Sequence, residues 1–295
     1  MRLPILFAFV LLCVNRVPAF ADTDAWRLTA ASPGIAQADK HPIGRTVCGE
    51  GQFETTAAGV RCRVCPGFTG NAGSDEGLEI VHANRGRFTS ARAEGEWLLD
   101  TQGCEAHYAS FGGAILLSHA APKTVLGMPA VTLGSRLSSK PAGGPLTLAF
   151  YKPGFRVDDC LVWDDGETRT QLVCNEADMA QGEVIGHISA MEVSRRGITR
   201  WRLLRWYDNS GSDLPEILSL VPGGMRRMEF DDGQPGLQIK VKILEASREA
   251  FAKGHAPVAK SVSLLFRRKA QRFFATRKTQ AHLQEIGALT RKMLE

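Results

Sequence analysis

The sequence predicts a mainly β fold of antiparallel sheets, with a short or irregular β-propeller as the candidate arrangement and a carboxy-terminal helix at the end. Beyond residue 145, short runs rich in Val, Ile, Leu and aromatic residues recur at the close spacing of a sandwich or propeller. Turn signals separate these runs: DDG at 164–166, DNSGS at 208–212, PGG at 222–224 and DDGQPG at 231–236. In the last residues the apolar spacing changes from that of a strand to that of a helix.

Taken in order, residues 22–45 lack sustained periodicity and contain Pro33-Gly34 and Pro42, so a loose amino-terminal arm is expected, with structure beginning near Thr46. The following stretch to Gly77 is glycine- and cysteine-rich and offers few large apolar groups to pack. Strands are expected at about 86–90, 96–100 and 113–118. Residues 121–145, including KPAGGP at 140–145, read as a long surface connection where the 46–275 domain divides if it divides at all. Further strands are expected at 146–151, 160–163, 169–174, 184–193, 200–206, 216–221, 225–230 and 237–245. In the tail Val262, Leu265, Phe266 and Phe273 share a helical face that Leu283, Ile286 and Leu289 leave. A hairpin (261–267 and 271–275) followed by a helix, about 278–294 within a 276–295 tail, fits better than one long helix.

Residues 1–21 combine Arg2, an apolar run from Ile5 to Val14 and the small-x-small ending Ala19-Phe20-Ala21. This is the pattern of a secretory signal peptide, too short to cross a bilayer, which takes about 20 apolar residues. Cys13 would leave with the leader. A periplasmic or secreted protein is therefore expected, with no transmembrane segment after leader removal. Six cysteines remain: Cys48, Cys62, Cys65, Cys104, Cys160 and Cys174. An even number in an oxidising compartment favours disulfides. If Gly166–Thr168 form a loop, Asp165 faces Arg169 and Cys160 faces Cys174. Cys62 and Cys65 are too close for an unstrained mutual bridge, so each is expected to pair outward, to Cys48 and Cys104. A redox CxxC would open a helix and a zinc site would want a second ligand pair; Pro66-Gly67 follows here, and there is only one such pair.

The formal net charge of +5 is unevenly spread. Residues 260–295 carry nine Lys/Arg against two Glu, whereas 22–259 carry 25 basic residues against 29 acidic ones. That distribution gives no basis for a nucleic-acid partner. In the tail, Arg267, Arg268, Lys269, Arg272, Arg277 and Lys278 interleave with Phe266, Phe273 and Phe274, a composition suited to peripheral contact with an anionic surface. The histidines at 41, 82, 107, 119, 187, 255 and 282 make no metal motif, and GxSxG, P-loop and GxGxxG patterns are absent. The acids Asp158, Asp159, Asp164 and Asp165 offer a carboxylate pair for glycoside chemistry, though Asp beside Gly is first a turn former.

One stretch has the spacing of a cation loop. In DNSGSDLPE, Asp208, Ser210, Ser212 and Glu216 occupy positions one, three, five and nine, where side-chain oxygens converge on calcium. The pattern resembles the loops of FG-GAP or VCBS-type β-propeller repeats, whose usual form is DxDGDGxxD followed by a strand. Ser replaces acid at two positions, and Asp213 stands where the glycine belongs. The resemblance therefore implies a degenerate loop kept as a turn, with calcium as the only cofactor to consider. GCEAHYASFGGAILL (103–117) and DDCLVWDDGETRTQLVCNEADMAQGE (158–183) also look like blocks of uncharacterised exported bacterial β-rich proteins, which imply no activity.

These readings point to an exported, non-enzymatic binding or scaffold protein that holds a partner protein or glycan. The competing class is a hydrolase of envelope polysaccharide, with acids among Asp158, Asp164, Asp165 and Asp231.

Overall fold

The computed structural model describes residues 34–69, 73, 75–93, 95–104, 113–118, 124–125, 128–129, 146–153, 159–180, 183–194, 197–212, 216–256 and 258–294. The expected leader with Cys13, most of the 121–145 connection, Asp158, His107 and His119 lie outside them. The fold is mainly β, in antiparallel sheets with a carboxy-terminal helix. The strands run as meanders, and no set of radial propeller blades is formed among the described residues.

Helix α1 (Gln37–Cys48) corrects the expectation of a loose arm to residue 45. Pro42 concealed it, because a proline inside a helix removes one hydrogen bond and usually ends it. Tertiary contacts outweigh that loss. Ile43 and Val47, one turn apart, are buried against the first sheet, and Cys48 is bonded to Cys62. Gly44 meets the Phe53 ring so closely that a β-carbon there would lie 2.3 Å from it.

The first sheet contains β1 (Phe53–Thr55), β2 (Val60–Cys62), β3 (Glu79–Gly86), β4 (Glu96–Gln102) and β5 (Gly113–Ser118). After a small pair, β6 (Thr124–Val125) and β7 (Met128–Pro129), strand β8 (Thr147–Pro153) returns beside β5. The strand expected at 86–90 lies upstream, at 79–86. Phe88 is instead buried in the core, and Thr89 donates its N–H and hydroxyl to the Glu96 carboxylate. All six residues of β5 are buried because both faces of this sheet are covered. Ile115 and Leu117 pack on the side of α1, while Ala114 and Leu116 pack against the second sheet.

The second sheet is an eight-strand meander: β9 (Cys160–Trp163), β10 (Gln171–Ala180), β11 (Glu183–Ser194), β12 (Gly197–Asp208), β13 (Glu216–Glu229), β14 (Pro235–Ser247), β15 (Val258–Lys269) and β16 (Arg272–Ala275). A short helix, α2 (Arg248–Ala252), precedes β15, and α3 (Arg277–Leu294) ends the chain. The strands expected at 216–221 and 225–230 are one strand. Pro222-Gly223-Gly224, read as a turn, is a bulge within β13, where the register against β14 slips.

Strands β11 and β12 pair along their full lengths, as do β13 and β14, but β12 meets β13 only at Tyr207–Leu220 and Asp208–Ser219. The meander therefore folds at this corner into two four-stranded halves. Their inner faces build one core: Val173, Ile188, Leu204 and Trp206 from the first half, and Leu220, Leu237, Ile239, Leu264 and Phe266 from the second. The outer face of the first half packs on the first sheet through Leu172, Cys174, Met191 and Val193. Three β layers are thus stacked, and α3 closes the far core with Ile286. It also covers the edge of β15 that the short β16 leaves open: Leu265 N donates to Thr279 Oγ1 at 2.7 Å.

Candidate functional site

The acids singled out for hydrolysis sit where β9 turns into β10. Asp165 accepts from the N–H and hydroxyl of Thr168, and Arg268 Nη1 donates to its Oδ2 at 3.0 Å. Burial raises its pKa, but the hydrogen bonds from Thr168, Arg268 and Glu167 outweigh burial and hold it well below the ordinary carboxylate range. Asp164 is likewise lowered, first by the Gly166 N–H and then by the Arg87 guanidinium, which is paired with it. Neither acid has the raised pKa of a general acid. Asp231 is exposed in the turn between β13 and β14, remote in sequence from this loop.

Around Trp163 the two halves of the second sheet are stitched together. The Arg227 and Arg268 guanidinium carbons lie 4.8 and 5.3 Å from the Trp163 ring centroid, and Phe273 meets it edge-on at 5.4 Å. Arg227 also donates to the Val162 carbonyl. Gln171 Nε2 donates to the Gln271 carbonyl at 2.7 Å, fixing the β15–β16 turn. Arg268 is buried, and its Nη2 has no hydrogen-bond acceptor among the described residues.

Strand alternation divides the basic tail. Phe266 and Arg268 point inward, and Arg267 is held by Asp232 at 2.5 Å and stacks on Phe230. Lys269, Arg272, Phe274, Arg277 and Lys278 remain exposed, Phe274 by 54%. At the expected cation loop, Asp208 Oδ1 accepts from Ser210 N at 2.9 Å and from the Ser219 hydroxyl, while the buried Ser212 donates to the Asn209 carbonyl. Asp208 and Ser212 thus use their side-chain oxygens locally, whereas Ser210 contributes its backbone N–H. Residues 213–215 and the Glu216 side chain lie outside the described residues. Among the described residues no cluster of three or more His, Cys, Asp or Glu forms a metal site.

The cysteines are bonded in pairs: Cys48–Cys62, Cys65–Cys104 and Cys160–Cys174. Cys62 and Cys65 thus bond outward and are not free thiols. Trp163 pairs with Gln171 and Cys160 with Cys174, which is the register required by a Gly166–Thr168 loop. Three disulfides are the chemistry of a chain that matures in an oxidising, extracellular-type environment. No helix among the described residues is long and apolar enough to cross a membrane.

A row of like charge lies elsewhere, on the outer face of β12. Arg200, Arg202 and Arg205 are all exposed. Their partners on β11 are Met191, Ser189 and His187, so all three share one face. An uninterrupted strand would send Arg205 to the opposite face from Arg202. Leu203 is an extra residue at a bulge, and this turns Arg205 outward while Leu204 and Trp206 enter the core. Arg200 pairs with Glu176 at 3.2 Å. Arg202 and Arg205 have no ion-pair partner among the described residues. Burial raises the Glu176 pKa, and burial followed by the three arginines lowers that of His187. Sequence reading passed over this row. Its trace is the alternation in TRWRLLRW, broken by Leu203-Leu204 where the bulge falls.

No protein-family model, curated protein or solved structure matches the chain.

Proposed function

We propose that the chain is an exported, non-enzymatic binding protein, working in the periplasm or outside the cell, that holds an anionic partner on the arginine-lined face of β12. The observation that carries this reading is the alignment of Arg200, Arg202 and Arg205 on one exposed face, with two of them lacking a described carboxylate partner. Arginine suits the task because its planar guanidinium binds carboxylate or phosphate through two parallel hydrogen bonds. The leader-like segment and the three disulfides support export. The engagement of Asp164 by Arg87 and of Asp165 by Arg268 supports binding over carboxylate-based hydrolysis.

Polyglutamate, an anionic polysaccharide and anionic vesicles, each titrated into the purified protein at rising salt, test the proposal. Binding of at least one polyanion is expected, weakening with salt and with the Arg202→Ser/Arg205→Ser variant. If none of the three binds at low salt, the proposal fails.

A further inference from the structure

Resting on that reading, we infer that β12 is a strand-addition site that takes an extended acidic segment of a partner protein along its open edge. On one side β12 is fully paired with β11. On the other it meets β13 only at Tyr207 and Asp208, which leaves residues 197–206 without a strand neighbour among the described residues. At about 3.4 Å per residue this is an edge of roughly 30 Å, long enough for a full strand.

Among the described residues, the end strands of the second sheet and the facing edge of β13 are short or obstructed. Strands β9 and β16 are four residues each. The uncovered part of β15 lies under α3, where Thr279 accepts from the Leu265 N–H. The facing edge of β13 carries Pro222, which has no N–H to offer an added strand. Along β12 no proline removes a donor.

The side chains specify what enters. A strand laid beside β12 places alternate residues about 4.5–5.5 Å from Arg200 and Arg202 and, past the bulge at Leu203, another beside Arg205, where an acid pairs with the guanidinium. Its alternate residues face Trp201 and Leu203, which are partly buried against the core and offer apolar contact. The matching segment therefore alternates acidic and apolar residues. A second copy of this chain would set arginine against arginine, so the row that admits an acidic strand repels self-pairing. Backbone pairing supplies affinity and the charge row supplies selection, the division of labour found in strand-addition complexes.

The test uses fluorescence anisotropy of a labelled peptide of alternating Glu and Val with the full protein. Two further peptides carry backbone N-methyl groups, one on the Glu positions and the other on the Val positions, so that each blocks a single edge. The unmodified peptide is expected to bind, with one methylated form weakened about tenfold or more and the other retained. Arg202→Glu/Arg205→Glu should lose this peptide and gain one of alternating Lys and Val, which confirms that the variant is folded. Equal binding of both methylated peptides overturns strand addition while leaving polyanion binding intact. Binding of the polysaccharide or vesicles without the peptide overturns the choice of partner. Failure of every anionic probe removes the binding-protein reading itself.

Discussion

Arg268 crosses from β15 to the loop after β9 and donates to Asp165 at 3.0 Å, with its guanidinium carbon 5.3 Å from the Trp163 ring centroid. This contact joins two halves of a sheet that, among the described residues, share two backbone pairs at their corner. Arg268→Met is expected to destabilise the protein by about 1.5–3 kcal/mol, the usual worth of a hydrogen bond to a charged group. The variant should also change the acid response. Asp165 is depressed in the fold, so its contribution is present above the ordinary value of 3.8 and is lost as pH falls through the lower folded value. Urea titrations carried from pH 4 down through that lower value should show a smaller total acid loss in Arg268→Met than in the parent.

The disulfides should differ in worth. The bond between Cys160 and Cys174 closes a separation of 14 residues, and that between Cys65 and Cys104 one of 39. Chain-entropy scaling gives about 3 kcal/mol for the first and about 4 kcal/mol for the second. Denaturation midpoints of the two Cys→Ser pair variants should follow that order.

The β15–β16 turn holds Ala270 at φ 47° and Gln271 at φ 63°. Two successive left-handed residues are the requirement of a type I′ turn, for which Asn-Gly is the favoured pair. The Gln271 carbonyl, which accepts from Gln171, survives any side-chain change. Ala270→Asn/Gln271→Gly should therefore raise stability by about 1 kcal/mol, read as a higher thermal midpoint.

His187 on β11 is surrounded by Glu176, Ser189, Arg200, Arg202 and Arg205. Burial and the three arginines depress its pKa below 6.5, so the unfolded chain takes up the proton first as pH falls. Stability should decline from about that pH down to the folded value. Glu176 acts with the opposite sign over its own window, since burial raises it above 4.5. Comparing the pH dependence of melting for His187→Asn and the parent isolates the histidine, and the variant should lose less stability between pH 6.5 and 5.

At the Asp208 turn, the Asp208 carboxylate already accepts hydrogen bonds and the Ser212 hydroxyl already donates one within the protein. The melting midpoint is expected to be the same in millimolar calcium and in chelator. A rise of several degrees with calcium would instead establish a functional ion site.

What the sequence disclosed depended on how far apart the cooperating residues were. The hairpin carrying Cys160 and Cys174 was legible because its register follows from counting out from a three-residue loop. The strand at 113–118 and the helix after Thr276 were legible from apolar runs and period. Helix α1 was not, since its support comes from Phe53 and Cys62, which no local window contains. The single strand β13 was hidden because Pro-Gly-Gly serves a bulge as readily as a turn. The arginine row needs the bulge at Leu203 before its members share a face, and its open edge depends on a pairing that β13 does not make. Both are properties of register, which a one-dimensional pattern fixes poorly.

The sparse joint between β12 and β13 also imposes an order of assembly. Within each half, hairpins join neighbours in the chain, whereas a contact such as Gln171 to Gln271 spans 100 positions. Closing short loops is entropically cheap and fast, so each half should form early and their docking should set the pace of refolding. During that interval Trp163, Leu237 and Ile239 have no opposing layer, and they are the surface that a chaperone or an aggregating neighbour would meet first.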